Sequence, residues 1–162
     1  MKFEEIYTRF SPRIFRVCMG YVNDYEQARD LTQETFILVW QHLSEFRKEA
    51  KISTWIFRIA TNVCLRAVEK SKRAKTVELP FDLPATTSAA EKREKTEKLQ
   101  ILYDAISQLE EMERLIISLV LEELPQKEIA EIVGLSDANV RVKIHRIKER
   151  LAGTLRENGR LD

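Results

Sequence analysis

Apolar side chains recur at helical spacing along almost the whole chain, and this periodicity is the strongest constraint on the fold. Phe3, Ile6, Tyr7 and Phe10 already fall at positions i, i+3, i+4 and i+7, which is one face of an α-helix. Glycine and proline, with four residues each in 162, are too rare for a many-turned β-sandwich or a low-complexity chain. Hydrophobic residues make up 44%, enough for a packed core. The sequence therefore predicts an all-α protein.

The first half of the chain is predicted to form four helices separated by polar breaks. Ser11–Pro12 predicts a fresh helix start, because proline is favoured at early helical positions. Asn23–Asp24 predicts a second break, and the polar segment Phe46–Lys51 predicts a third. Ser53 is then expected to cap the fourth helix, which runs to about Arg73.

Residues 76–95 differ from the rest of the chain. They contain Pro80, Pro84 and a run of alanine, serine and threonine, with few large apolar side chains. Twenty residues without a structural pattern are long for a loop inside a compact domain, so we interpret the segment as a flexible inter-domain linker. The sequence predicts two small helical domains, residues 1–75 and residues 96–162.

Charge is distributed unevenly, although the formal net charge is only +1. Residues 47–75 hold nine basic and two acidic residues, which is the footprint of a phosphate-binding surface. Residues 96–131 hold three basic against nine acidic residues, and residues 132–162 hold seven against four. The near-neutral total therefore hides two basic segments and does not exclude nucleic-acid binding.

Residues 124–151 carry the most specific pattern, a short helix, a glycine turn and a second helix. Gly134 is expected to end the first helix in a left-handed conformation, and Ser136 is expected to cap the second. The polar and basic face of the second helix then suits major-groove reading of DNA, whereas an ordinary helical hairpin with a solvated basic face is the alternative. The residues predicted on this face are Ala138, Asn139, Arg141, Val142, His145 and Arg146.

Three motifs in order resemble the extracytoplasmic-function (group IV) sigma factors of bacterial RNA polymerase, which belong to the sigma-70 family. ARDLTQETF at Ala28–Phe36 is similar to the family's A-E-D-L-x-Q-E-x-F, and TWIFRIATN at Thr54–Asn62 is similar to its W-L-x-x-I-A-x-N. EIAEIVGLSDANVRVKIHR at Glu128–Arg146 is similar to its E-I-A-x-x-L-G-x-S-x-x-T-V-K-x-R-L-x-R. The resemblance covers about residues 3–155.

The resemblance implies a function in promoter-specific transcription initiation. Residues 1–75 would be the σ2 domain, which binds the β′ clamp helices of the polymerase and the −10 element, and residues 96–162 would be the σ4 domain, which reads the −35 element and contacts the β flap. The polymerase-binding motif matches Asp30, Gln33 and Glu34. The loop at Phe46–Ser53 would accept bases of the non-template strand. The residues expected at the −10 element are Arg47, Lys48, Lys51, Trp55, Arg58, Asn62 and Arg66.

The resemblance also implies an anti-sigma factor as a partner. The residues show no pattern for a cofactor, a metal or a small-molecule substrate, and we expect none. Cys18 and Cys64 have neither disulfide-framework nor metal-ligand spacing, and the sequence shows no secretory or transmembrane segment. We therefore expect buried free thiols in a cytoplasmic protein. His42 and His145 are isolated, and no nucleophile has a base at a recognisable spacing, so we expect no enzymatic activity.

Two other function classes remain open from the sequence. A stand-alone helix-turn-helix regulator would need a sensing pocket or a dimer interface in residues 1–75, and it would not need the acidic patch at residues 30–34. An anti-sigma or adaptor protein would bind polymerase without promoter DNA, and the basic segment 47–75 argues against that class.

Overall fold

In a computed structural model of the chain, the described residues, 2–70 and 89–157, form seven α-helices, one short 3₁₀ turn and no β-strand. Side chains are described for residues 2–67 and 97–157. The all-α prediction is confirmed. No helix within these ranges has both the length and the apolar character to cross a membrane. The helices are α1 (Phe3–Val22), α2 (Tyr25–His42), α3 (Ile52–Lys70), α4 (Ala89–Ile106), α5 (Glu111–Leu121), α6 (Gln126–Val133) and α7 (Asp137–Glu157), and the 3₁₀ turn is Leu43–Glu45.

Helix α1 runs through Pro12 without a break, so the predicted fresh start at this point is wrong. Proline lacks a backbone N–H and costs the helix one internal hydrogen bond. Phe10 and Ile14, on either side of the proline, are both buried in the core, and this packing holds the two parts in one helix. The next predicted break is confirmed. Asn23 ends α1 in a left-handed conformation with φ 50°, and the Asp24 carboxylate caps α2 by accepting a backbone N–H at 2.9 Å.

The polar break before α3 is confirmed, but the helix begins earlier than predicted. Lys48 has φ 57°, and this left-handed residue turns the chain between the 3₁₀ turn and α3. The Trp55 N–H donates to the Lys51 carbonyl oxygen at 3.2 Å, so α3 begins at Ile52. Ser53 therefore lies inside the first turn and does not occupy the cap position that the sequence suggested.

The predicted linker falls largely outside the described residues, namely at positions 76–88. Its last part, 89–95, is helical, because α4 begins at Ala89, so the expectation that these residues lack a structural pattern is wrong. The division into two domains joined by a linker stays a prediction. The sequence AAEKREK consists of strong helix formers, and it places Glu91 four residues before Lys95, which favours a helix. Residues 89–95 carry no apolar stripe, so the hydrophobic periodicity did not indicate a helix there.

The two halves of the chain pack directly against each other. Helix α1 lies against α5 and α3 lies against α6, and the buried apolar residues of both halves form one hydrophobic core. Gly20 in α1 touches Ser118 in α5, and a methyl group at position 20 would overlap the serine hydroxyl. Glycine is therefore needed here for the close approach of the two helices.

Two arginine clusters join the halves at the same contact. Glu122, at the end of α5, has a side chain only 6% exposed and accepts from Arg16 Nε at 2.7 Å and Nη2 at 2.8 Å. Arg13 Nη2 donates to the Glu122 carbonyl oxygen at 2.8 Å. The Glu122 carboxylate raises the pKa of Arg16 above its usual value. Nearby, Arg114 Nε donates to the Tyr21 carbonyl oxygen at 2.9 Å, with its guanidinium 5.0 Å from the centre of the tyrosine ring.

Both cysteines are free and fully buried, as predicted. Their sulfur atoms lie 3.9 Å apart, Cys18 on α1 and Cys64 on α3. The contact with Cys18, together with burial, raises the pKa of the Cys64 thiol well above its ordinary value. Cys64 therefore stays protonated near neutral pH, and an uncharged buried thiol is a poor nucleophile.

Candidate nucleic-acid interface

Helices α6 and α7 form the predicted helix-turn-helix. Gly134 ends α6 with φ 74°, and its N–H donates to the Ala130 carbonyl oxygen at 2.9 Å. The Ser136 hydroxyl oxygen accepts from the Asn139 N–H at 3.1 Å and so caps α7. Both of these cap predictions are confirmed.

A side-chain bond and an apolar contact fix the angle between α6 and α7. The Gln126 amide, at the start of α6, donates to the Asp137 carboxylate, at the start of α7, at 2.9 Å. Behind it, Ile129 of α6 and Val140 and Ile147 of α7 are fully buried. Because its inner side is fixed in the core, α7 presents a defined outer side to a ligand.

The outer side of α7 carries the six residues that the sequence placed there, and all six are exposed. Val142 is a large apolar residue with 46% exposure, suited to contact a thymine methyl group. His145 pairs with Glu149 through Nε2 and Oε1 at 3.2 Å, on the solvent side. Arginine on such a face donates to guanine edges or to phosphates, and asparagine pairs with adenine. The exposed residues are Ala138, Asn139, Arg141, Val142, His145 and Arg146.

The residues predicted at the −10 element lie on α3 and in the loop before it. Arg47 and Lys48 are exposed in the loop, and Trp55 is half-buried, with its ring 5.1 Å from that of Phe46. On α3, spacings of three and four residues place the others on one stripe with Trp55. The exposed members of that stripe are Arg58, Asn62 and Arg66.

A groove of about 430 Å³ opens between α2, the 3₁₀ turn and α3. Three of its lining residues, Trp55, Asn62 and Arg66, were predicted from the sequence. Its opposite wall was not predicted: His42 Nδ1 and Glu45 Oε2 pair at 3.0 Å across one turn. The spacing of three residues was the available signal for this pair, although the sequence suggested an isolated histidine. The full lining is Leu38, His42, Glu45, Trp55, Ile59, Asn62 and Arg66.

The chemistry of this groove suits an unstacked nucleobase. It combines an aromatic ring, two aliphatic side chains and several polar groups that donate or accept hydrogen bonds. Proteins that capture an extruded base stack it on apolar or aromatic side chains and bond its Watson–Crick edge.

Two cations of the predicted −10 set, Lys51 and Arg58, contact the helix-turn-helix. Lys51 Nζ lies 2.9 Å from Glu128 Oε1 on α6. Arg58 Nη2 donates to the Glu131 carbonyl oxygen, also on α6, at 3.4 Å. The structure thus brings the basic side of α3 against the first helix of the helix-turn-helix.

The predicted polymerase-binding residues lie on the outer face of α2. Asp30 is exposed, and Gln33 and Glu34 are half-buried beside it. Trp40, which the sequence analysis did not single out, lies two turns after Gln33 on the same side and is 47% exposed. Carboxylates form charge-assisted hydrogen bonds with arginine, and tryptophan is enriched among the residues that contribute most to protein–protein binding.

Comparison with protein families matches both halves of the chain. The model for Sigma-70 region 2 matches residues 6–74, and the model for Sigma-70, region 4 matches residues 99–151. The ECF RNA polymerase sigma factor SigM of Bacillus subtilis (strain 168) is 28% identical over 153 residues, which is 93% of each chain. SigW of the same strain is 27% identical over 96% of this chain and 89% of its own length.

Two solved structures share the fold. The sigma factor RpoE of Bartonella quintana, in complex with the anti-sigma factor NepR, has a TM-score of 0.74 at 20% identity, covering 95% of this chain and 96% of that chain. CnrH, in complex with the cytosolic domain of CnrY, has a TM-score of 0.69 at 20% identity, covering 96% of this chain and 88% of its own.

The fold defines an all-helical protein that carries a helix-turn-helix in its second half. The two family models, which together match about three quarters of the residues, are more specific, and the chain belongs to the sigma-70 family of RNA polymerase sigma factors. Its function is that of a sigma factor of the ECF type, which binds core RNA polymerase and promoter DNA and directs transcription initiation. A stand-alone regulator is not favoured.

Proposed function

We propose that the chain docks on core polymerase through α2, captures a −10 base in the groove beside α3, and reads the −35 element with α7. It acts by binding and performs no catalysis of its own, in the cytoplasm. The observation that carries this proposal is that one chain combines a groove lined by an aromatic ring and polar groups with an exposed helix-turn-helix face. The two family matches, at 6–74 and 99–151, support σ2 and σ4 domains at residues 1–75 and 96–162.

Capture of the −10 base rests on the lining of the groove. Extruding a base costs a few kcal/mol, and stacking on an aromatic ring contributes about 1–3 kcal/mol in return. Trp55 supplies the ring, and Asn62 and Arg66 supply the polar groups for the base edge. Arg47 and Lys48, exposed in the adjacent loop, hold the phosphates of the same strand.

Permanganate footprinting of promoter melting tests the groove. We expect Asn62→Ala to reduce strand opening by the holoenzyme while binding of core polymerase stays at the wild-type level. Asn62 is exposed and lies on the outer side of α3, so this change spares the core. Wild-type melting by Asn62→Ala would refute base capture in this groove.

Docking on polymerase rests on the charged face of α2. Each hydrogen bond to a charged group contributes about 1.5–3 kcal/mol, and 1.4 kcal/mol corresponds to a tenfold change in affinity. We therefore expect Asp30→Asn with Gln33→Ala to weaken binding of core polymerase by at least about tenfold. Glu157→Gln, which removes one exposed carboxylate at the end of α7, is the matched control. Equal affinity of the α2 variant and the control, measured by interferometry on immobilised core, would refute the assignment.

Reading of the −35 element rests on the exposed face of α7. Arg141→Ala is expected to cost about 1–3 kcal/mol and to relax the base preference at one position, whereas loss of a phosphate contact would weaken all sequences equally. Selection of bound sequences from a randomised −35 library separates these two outcomes. An unchanged base preference would refute a reading role for Arg141.

We also propose that an anti-sigma factor holds the chain inactive. The support is the shared fold with two sigma factors whose structures were solved with anti-sigma proteins. Co-purification of a chain-specific partner that blocks binding of core polymerase would test this proposal.

A further inference from the structure

One wall of the groove beside α3 carries a polar pair that the proposed function does not use. His42 lies in the last turn of α2 and Glu45 lies in the 3₁₀ turn that follows, and both line the groove. His42 Nδ1 lies 3.0 Å from Glu45 Oε2. Neither residue belongs to the set that the sequence marked for the −10 element, so neither has an assigned role.

Stacking of an extruded base gives affinity but little choice among the four bases. Every base has an aromatic face, so the ring of Trp55 accepts each of them. The Watson–Crick edge, by contrast, differs from base to base in its donors and acceptors. The identity of the captured base therefore depends on the polar side chains of the groove.

These polar side chains differ in what they offer to a base. Among the described residues that line the groove, Glu45 alone has a side chain that only accepts hydrogen bonds. Trp55 and Arg66 only donate, whereas the Asn62 amide does both. Arg66 Nε donates to the Asn62 carbonyl oxygen at 3.2 Å, which holds the arginine on its own helix. A donor on the captured base therefore finds its charged acceptor in Glu45.

His42 fixes the direction of this carboxylate. Because a carboxylate only accepts, the imidazole Nδ1 must donate to Glu45 Oε2. The His42 side chain is 50% exposed and the Glu45 side chain is 73% exposed, so the pair contributes little to stability. Its effect is on orientation, because one carboxylate oxygen is held by α2 while Oε1 can accept from a ligand.

We propose that Glu45, positioned by His42, selects a −10 base that carries an exocyclic amino group and rejects thymine. Adenine, cytosine and guanine each have an amino group that can donate to a carboxylate, as the N4 amino group of cytosine does to glutamate in protein–DNA complexes. Thymine has two carbonyl oxygens and no amino group, and a carboxylate oxygen repels a carbonyl oxygen. The inference rests on the proposed function, because it places the captured base in this groove.

Transcription from a promoter library with a randomised −10 element tests the selection. Templates used by the wild-type holoenzyme should show one melted position at which thymine is depleted at least about fivefold, a ratio that corresponds to about 1 kcal/mol. Glu45→Gln offers an amide N–H to a thymine carbonyl oxygen, and we expect it to restore thymine at that position.

Glu49→Gln is the matched control for charge. It removes the same charge from an exposed residue in the loop after the 3₁₀ turn, and we expect it to keep the wild-type base profile. Equal depletion of thymine with Glu45→Gln and Glu49→Gln would overturn the proposal. Acceptance of thymine by the wild-type holoenzyme at every melted position would also overturn it.

Two variants of His42 separate a positioning role from a structural one. His42→Phe keeps a ring but removes Nδ1, and we expect weaker rejection of thymine with unchanged binding of core polymerase. His42→Asn places an amide N–H near the position of Nδ1 and should restore the rejection. Rejection of thymine by His42→Phe at the wild-type level would refute the role of His42.

A base analogue tests the amino group itself. At the selected position, the preferred base is replaced by its analogue without that group, which is purine for adenine, hypoxanthine for guanine or 2-pyrimidinone for cytosine. Permanganate footprinting should show at least about fivefold less melting of the analogue promoter by the wild-type holoenzyme, and equal melting of both promoters by Glu45→Ala. The same loss with wild type and Glu45→Ala would overturn the proposal.

The Asn62→Ala variant separates failure of this inference from failure of the proposed function. Wild-type melting by Asn62→Ala would count against base capture in the groove. Reduced melting by Asn62→Ala, together with unchanged base selection by Glu45→Gln, would count against the role of Glu45 alone.

Discussion

Replacing Glu122 by glutamine should weaken the contact between the halves in a measurable way. The carboxylate accepts three N–H groups, from Arg16 at 2.7 and 2.8 Å and from Arg13 at 3.4 Å. Glutamine keeps the shape and one acceptor oxygen, but it loses the charge and turns its amide NH2 group, a hydrogen-bond donor, toward a guanidinium group. Arg16 is 47% exposed and regains water, which keeps the cost below the 3–5 kcal/mol of a fully buried pair. We expect a loss of about 2 kcal/mol in the free energy of unfolding.

Urea denaturation at pH 7, followed by circular dichroism, measures this loss. Glu123→Gln is the matched control, because Glu123 is the next residue and is exposed. We expect one cooperative transition for wild type, since the halves share one core, and a lower midpoint for Glu122→Gln alone. A Glu122→Gln midpoint equal to that of Glu123→Gln would refute the assigned role of the ion pair.

A double-mutant cycle with Arg16→Met assigns the loss to the Arg16 bond. Because Arg16 supplies the two shorter hydrogen bonds, the coupling energy should be about 1 kcal/mol or more. If the effects of the two substitutions are additive, the loss caused by Glu122→Gln does not come from its bond with Arg16.

Two other substitutions, a thiol reagent and a change of pH test local features of the fold. Gly134→Ala should lower the free energy of unfolding in urea by about 1 kcal/mol, because alanine is strained at φ 74°. The added methyl group itself meets no atom within 4 Å, so no clash contributes. An unchanged urea midpoint would contradict this prediction. Gly20→Ala should lower the free energy of unfolding by about 1–3 kcal/mol, because the added methyl group overlaps the Ser118 hydroxyl. The loss should be smaller when Ser118 is also replaced by alanine. The same loss with and without Ser118→Ala would contradict the overlap. Cys64, with its pKa raised by Cys18 and by burial, should resist a thiol reagent until urea is added. The raised pKa favours the protonated folded state, so the free energy of unfolding should fall as pH rises above about 8.5, and an increase contradicts this.

Most helix ends that depend on neighbouring residues were predictable from the sequence, and the Ser53 cap is the exception. Gly134 and Ser136 mark the turn of the helix-turn-helix, and Asn23 and Asp24 mark the junction of α1 and α2, because each acts on backbone groups within four residues. The exposed face of α7 followed from the helical period alone.

Features that depend on distant residues were not predictable. Packing of Phe10 and Ile14 overrides the local preference of Pro12, so α1 stays continuous. The bond from Arg16 to Glu122 joins residues 106 positions apart, and no sequence pattern links them. The docking of the two halves therefore emerges only in three dimensions.

The groove beside α3 has one wall that was predictable from the sequence and one that was not. Its α3 wall, with Trp55, Asn62 and Arg66, follows from one helical stripe that the family motif marks. Its other wall, with His42 and Glu45, comes from the end of α2 and the 3₁₀ turn, which only the packing of α2 on α3 brings to the same place.

Transcription in vitro tests the central claim most directly. Core RNA polymerase with the purified chain is incubated with a library of random-sequence templates, and the 5′ ends of the transcripts are sequenced. The account predicts transcripts above the level of core alone, from start sites that share −35 and −10 sequences, and loss of both with Asp30→Asn plus Gln33→Ala. Transcription no higher than that of core alone, by a chain that binds core polymerase, would contradict it.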